Sequence, residues 1–358
     1  MGTPDPQPAP HSPDPSAPQP QQQTTKTKQP NAWLQLLRLP NLFTVPGDPA
    51  AGFILAWLST GSGPKPSLNV TVLLLAACAG LLLYAAGLVF NDVFDLAEDR
   101  RDRPRRPLPS GRISLRKAVA AGAALLCGGV GCAFAASVPA GVLAAGLGVL
   151  ILLYDALLKR LPLIGPLAMG ACRGLNFLLG ATAAGGWLAF QSLLILYCAA
   201  LLTAYVAAVT AIARGETRTL PLAVKRWLPA AALATGLVLL PMGGLVVMMW
   251  ADASAMDSWN IAWDVWSFSL AWREFLLLIV LLPGMLAVLT AIRCARDLRG
   301  LPQPALIQRT IGRLIRNLLL IQAALAFWPI KPGMVIAAIL LLVFYPLSLF
   351  TARRFYAS

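Results

Sequence analysis

Runs of apolar side chains, each closed by a short polar interval, set the pattern of this chain from about residue 42 onward. They fall at 42–60, 68–90, 118–138, 140–158, 165–188, 190–213, 228–250, 274–292, 314–329 and 333–351. A helix rises 1.5 Å per residue, so about 20 residues cross a hydrocarbon core of ~30 Å, and the runs are close to that length. The pattern predicts an all-α, multi-pass transmembrane helical bundle with ten candidate spans.

The polar intervals are unevenly charged. With the N-terminus in the cytoplasm, the inside intervals, counting Arg316 at the inner edge of the run at 314–329, hold twenty-five Lys and Arg, against Lys65, Arg273 and Lys331 outside, and Arg173 alone lies well within a span. Inside loops retain positive charge during insertion, so this partition predicts an even number of crossings of the cell membrane and a cytoplasmic N-terminus. One extra crossing would scramble it.

Composition agrees, because 58% hydrophobic and 12% charged residues are more apolar surface than a soluble core buries. The net charge of +14 is spread over short turns, which argues against nucleic acid and for anionic membrane lipid and topology control. Residues 1–30 contain nine prolines and six glutamines and read as a disordered cytoplasmic tail, leaving 31–356 as the transmembrane domain. No basic start followed by a short apolar core is visible, so no cleavable signal peptide is expected. Cys78, Cys127, Cys132, Cys172 and Cys198 lie in apolar runs and Cys294 at an edge, without CxxC spacing, and read as packing residues. The only histidine, His11, is in the tail, which removes imidazole chemistry from the body of the protein. Four tryptophans between 251 and 273 predict a loop resting at the outer interface.

Chemistry concentrates where the second run ends. Five of the fifteen acidic residues lie between Asp92 and Asp102. Asn91, Asp92, Asp95 and Asp99 are three or four apart, which places their oxygens on one helical face. Such a face can hold Mg²⁺ through one or two carboxylates and leave positions for water and phosphate. The alternative is a hydrated helix end whose acids pair with Arg100, Arg103 and Arg106. Arg103, Arg105 and Arg106 precede the stiff turn Pro107-Leu-Pro-Ser-Gly111, and their forked donors match a polyanion such as a diphosphate. Arg106, fixed before the turn, is the strongest of the three. In the fifth run Arg173 and Asn176 are three apart, and a lone membrane arginine should face the interior and find an acceptor, either Asp92 or a diphosphate oxygen.

Asn91-Asp-x-x-Asp95-x-x-x-Asp99-Arg100 followed by Arg106-Pro-Leu-Pro-Ser-Gly111 resembles the first aspartate-rich motif of the UbiA superfamily of intramembrane prenyltransferases. It falls after the second span, where that family carries it, and Arg38-Leu-Pro-Asn41 resembles the family's opening. The order of spans supports the match over about 33–330. The resemblance implies nine core helices around a central cavity, with the last run as an extra C-terminal helix. It also implies Mg²⁺ as cofactor and transfer of a prenyl group from an isoprenoid diphosphate to an aromatic or other lipophilic acceptor. Asp92, Asp95, Arg106 and Lys159 would then be catalytic, and Arg103, Tyr154, Lys159, Arg173, Asn176 and Arg214 would bind substrate beside Arg106. Tyr154-Asp155-x-x-x-Lys159 matches the family's tyrosine and basic pair, with Asp155 also able to pair with Lys159 at helical spacing. The second acidic motif departs from the pattern: residues 211–218 offer only Glu216 as a further metal ligand. That thin motif keeps open a second reading, a non-catalytic family member that binds or moves a lipophilic intermediate. A third, an ion-coupled transporter, lacks the paired intramembrane charges such sites use.

Overall fold

The computed structural model describes residues 31–59, 68–214, 224–236, 270–300 and 302–327. Among the described residues all regular structure is helical. The helices are α1 (Ala32–Leu36), α2 (Leu39–Leu42), α3 (Gly47–Ser59), α4 (Val70–Phe94), α5 (Leu96–Asp102), α6 (Leu115–Ala136), α7 (Val138–Ala156), α8 (Ile164–Gly185), α9 (Leu193–Ala213), α10 (Leu270–Asp297) and α11 (Pro304–Phe327). Residues 228–236 are also helical.

Side-chain caps set several boundaries. Asn69 Oδ1 accepts from the Val72 N–H at 3.2 Å to start α4, and Ser137 Oγ accepts from the Ala140 N–H at 3.2 Å to start α7. Each supplies an acceptor that the first turn of a helix lacks. Ser137 also closes α6 through its own N–H to Ala133 O, so α6 and α7 form a tight antiparallel pair.

Four described helices are long and apolar enough to cross a bilayer: α4, α6, α7 and α9. Their exposed apolar side chains, including Leu74, Phe134, Val142 and Val149, form the outer face of a membrane protein. The run at 42–60 yields the 13-residue α3, which starts directly after Pro46 and carries the buried Asp48 and Pro49 in its first turn. The run at 314–329 is the second half of α11, whose first half carries Arg309 and Arg313. The runs at 228–250 and 333–351 and the tryptophan-rich loop fall largely or wholly outside the described residues, as does the 1–30 tail.

The interior divides into packed clusters. One joins α3, α8, α9, α10 and α11 around Leu55, Phe177, Leu202, Tyr205 and Leu318. A second joins α4, α6 and α7 around Leu83, Ala133 and Leu147. The α3–α8 approach is close enough that a Cβ on Gly180 would strike the Pro49 backbone, and one on Gly52 the Phe177 carbonyl. Small residues permit such contact where lipid gives helices no hydrophobic drive to associate. A third cluster, Leu36, Val89, Leu108, Ile113 and Ala118, ties α1 and the 103–114 turn to α4 and α6. It brings Arg38 and Arg106, each two positions from a buried leucine, to the end of α4.

Candidate active site

The helical register of α4 carries its polar residues beyond its own end. Asp95 (φ −88°, ψ 1°) is a joint between α4 and α5, yet the backbone bonds Asp95 N–H to Asn91 O and Asp99 N–H to Asp95 O, at 3.0 and 2.8 Å, run through it. Asn91, Asp95 and Asp99 therefore keep one face despite the joint.

Three cations gather on this face. Arg38 Nη2 donates to Asp92 Oδ1 at 3.0 Å, and Arg106 Nη1 donates to Asp99 Oδ2 at 2.7 Å while lying 3.7 Å from Asp92. Lys159 Nζ donates to Asn91 Oδ1 at 3.2 Å and sits 2.7 Å from Asp95 Oδ1. Asp92 and Asp99 are each 4% exposed, so the acids turn inward rather than toward solvent. Arg38 is the one non-glycine residue with positive φ (44°) among the described residues, a backbone form that costs an L-residue energy. Its ion pair with a buried aspartate holds it there.

Beneath this layer lies a cavity of about 340 Å³. Arg38, Asn91, Tyr154 and Asp155 line one region, and Leu83, Leu88, Leu147, Ile151, Val209, Leu314 and Leu318 form apolar walls from α4, α7, α9 and α11. Of the other aromatic residues near the motifs, Tyr205 also lines it, whereas Phe177 belongs to the packed core and Phe94 is exposed.

A second polar layer crosses the bundle at α8. Arg173 Nε lies 2.9 Å from Asp48 Oδ2, an ion contact in which the N–H is not aimed as a hydrogen bond. Arg173 Nη2 donates to Thr44 O at 3.0 Å, and its guanidinium lies over the Tyr84 ring at 5.9 Å. Gln322 Nε2 donates to Asp48 Oδ1 at 2.6 Å and to Thr44 O at 2.7 Å. Asn176 Nδ2 donates to Asp48 Oδ2 and Val45 O, both at 3.3 Å. Asp48 is fully buried.

The structure thus brings Asn91, Asp92, Asp95, Asp99, Arg106 and Lys159 together and places Asn91, Tyr154, Arg173 and Asn176 on the cavity wall. Arg103 is exposed at the end of α5. Arg214 donates to the carbonyls of Leu161 and Arg160 and braces the turn between α7 and α8. Glu216 lies outside the described residues. Two expected pairings are corrected. Arg173 takes Asp48, which α3 delivers to it, rather than Asp92. Lys159 turns to Asn91 and Asp95 rather than to Asp155, because the helix ends at Ala156 and the following 3₁₀ turn redirects the side chain. Sequence reasoning missed Asp48, Gln322 and the ion-pairing of Arg38. A carboxylate inside an apolar run was the available signal for Asp48; Gln322 had none.

The class defined here is a helical membrane bundle with a largely apolar cavity under a charge-balanced layer of acids and cations. The chain belongs to the UbiA prenyltransferase family, whose family model matches residues 49–303. It is similar to digeranylgeranylglyceryl phosphate synthase of Methanoculleus marisnigri, 34% identical over 155 residues, which is 43% of this chain and 52% of that protein. Against the same enzyme of Methanosarcina mazei the identity is 33% over 181 residues, 48% of this chain and 62% of that protein. The chain spans about half to three-fifths of the length of these relatives. A solved structure of digeranylgeranylglyceryl phosphate synthase shares the fold, with a TM-score of 0.53 and 19% identity over 86% of this chain and 98% of that one.

Proposed function

We propose that the chain is an intramembrane prenyltransferase that moves a prenyl group from an isoprenoid diphosphate to a lipophilic acceptor, with Mg²⁺ as cofactor. The observation that carries this reading is the gathering of three aspartates and three cations over a partly enclosed, mainly apolar cavity. Domain 31–356 is the catalytic body, and its acidic layer faces the cytoplasm, as the charge partition requires.

The donor set fits the cation. Carboxylate and amide oxygens from Asn91, Asp92, Asp95 and Asp99 are hard ligands, and among the described residues no group of sulfur or imidazole donors joins them. No group of three acids closes into a metal cage among the described residues, which suits an ion that takes one or two carboxylates and keeps water and phosphate. When bound, Mg²⁺ neutralises charge on the departing diphosphate.

The protein's own groups do the rest. The layer sums to zero, with Asp92, Asp95 and Asp99 against Arg38, Arg106 and Lys159. An arriving diphosphate competes for those cations and frees carboxylate oxygens for the metal. Arg106, anchored beside the buried Leu108, offers a forked donor to phosphate oxygens, and Lys159 a point charge. The apolar walls exclude water from an allylic cation, and the Tyr154 ring lines the chamber near the charged layer.

The test is diphosphate release and lipid labelling by the full-length protein in nanodiscs, with geranylgeranyl diphosphate, Mg²⁺ and a membrane lipid extract. Asp95→Ala should lower both by about 10²–10³-fold, the loss typical of a lost electrostatic contact to developing charge. Undiminished turnover in that variant refutes the proposal. Binding of the donor without release by the wild type would favour the non-catalytic lipid-binding reading.

A further inference from the structure

Asp155 stands outside every ion pair of the charged layer. It lies near the end of α7, is 3% exposed and lines the cavity. Its Oδ2 has no hydrogen-bond donor within reach among the described residues. Buried polar atoms in native proteins are almost always partnered, and an unmet one costs about 1–3 kcal/mol. Lys159 is the nearest sequence candidate, but its ammonium is held by Asn91 and Asp95. The charged groups that act on Asp155 are Lys159 next along the chain, Asp92 and Asp95 at the end of α4, and Arg38 before α2. Cys172 faces it from α8 and Tyr154 adjoins it.

An unmet carboxylate oxygen on the wall of a chamber fits a ligand that brings a donor. Asn176 Oδ1 is unmet on the same wall, but an amide cannot take up a proton. Asp155 can, and it adjoins the Asn91 and Tyr154 side of the cavity, below the layer assigned to the diphosphate.

We propose that Asp155 is the proton acceptor for the attacking group, and that the acceptor substrate presents a hydroxyl to it. This rests on the prenyltransferase reading above. A bond forms between the hydroxyl oxygen and C1 of the prenyl group. The bond from C1 to the diphosphate oxygen breaks, its electron pair leaving with diphosphate, and the hydroxyl proton passes to the Asp155 carboxylate. The product is a prenyl ether.

The experiment uses the full-length protein in nanodiscs with geranylgeranyl diphosphate and Mg²⁺, and two probe acceptors, 1-dodecanol and 4-octylphenol. Asp155→Asn keeps shape but cannot take the proton. Ether formation with dodecanol should fall about 100-fold, the typical contribution of a general base, while Mg²⁺-dependent binding of geranylgeranyl diphosphate stays within about threefold of wild type. The more acidic phenol depends less on a base, so its loss should be about tenfold. Asp155→Glu should recover part of the dodecanol reaction. Equal losses for the two probes, or undiminished ether formation, overturn the proposal. So does a parallel loss of donor binding, which would assign Asp155 to the donor site or to folding. Wild type that releases diphosphate but makes neither ether overturns the hydroxyl acceptor and leaves the donor reading standing. Wild type that releases no diphosphate overturns the reading beneath it.

Discussion

Replacing Asp48 by alanine removes the counter-ion of a buried charge on the cavity wall. Arg173 is 5% exposed and its other partners are the Thr44 carbonyl and the face of Tyr84. The same change takes an acceptor from Gln322 and from Asn176. Removing one member of a buried ion pair costs about 3–5 kcal/mol, mostly as an uncompensated charge. The lost hydrogen bonds belong to the same network and do not add as independent terms. At about 2 °C per kcal/mol, the lower end of the range for larger domains, Asp48→Ala should melt about 6–10 °C below wild type. Combining it with Arg173→Met removes both charges and should recover half or more of the deficit. Asp48→Asn keeps one acceptor oxygen and should fall between. The assay is thermal denaturation of the detergent-solubilised protein followed by intrinsic fluorescence. A drop under 2 °C for the single variant, or a double variant no more stable than the single, would refute the account of the pair.

Arg38→Ala and Arg38→Gly both remove the ion pair with Asp92, but only glycine relieves the positive φ, so the glycine variant should be the more stable by about 1 kcal/mol in the same melt. Equal melting temperatures would deny that strain. A valine at Gly180 must displace the Pro49 backbone and should cost at least about 2 kcal/mol, seen as a loss of folded protein on size-exclusion chromatography. EDTA should abolish prenyl transfer and added Mg²⁺ restore it, whereas Ca²⁺, with its longer bonds and higher coordination number, should restore it poorly.

Much of this was legible because it depends on short-range pattern. The positions of α4, α6, α7 and α9 follow from run length, and the face shared by Asn91, Asp95 and Asp99 follows from spacing. The choice of partners did not follow. Asp48 meets Arg173 and Gln322 because α3, α8 and α11 pack together, and that contact joins residues 274 positions apart in the case of Gln322. Lys159 carried a misleading local signal: four residues from Asp155, it suits a helical pair, but the helix stops before the pair can form. Arg38 was visible as part of an opening motif, while its place over the cavity depends on Leu36 packing against Val89 and Leu108.

The short α3 has a consequence for how the molecule is made. Thirteen residues cover about 20 Å, and the stretch before it is joined to α2 only by the short-turn bonds Thr44 N–H to Asn41 O and Val45 N–H to Leu42 O, so its own carbonyls need donors from outside that helix. The carbonyls of Thr44 and Val45 in that stretch are met by Arg173, Asn176 and Gln322. Those donors leave the ribosome long after their targets, the last of them 278 residues later. The beginning of the polypeptide must therefore wait, imperfectly solvated at the translocon, until nearly the whole chain has been synthesised, and a truncation that ends before Gln322 leaves its first segment unfinished.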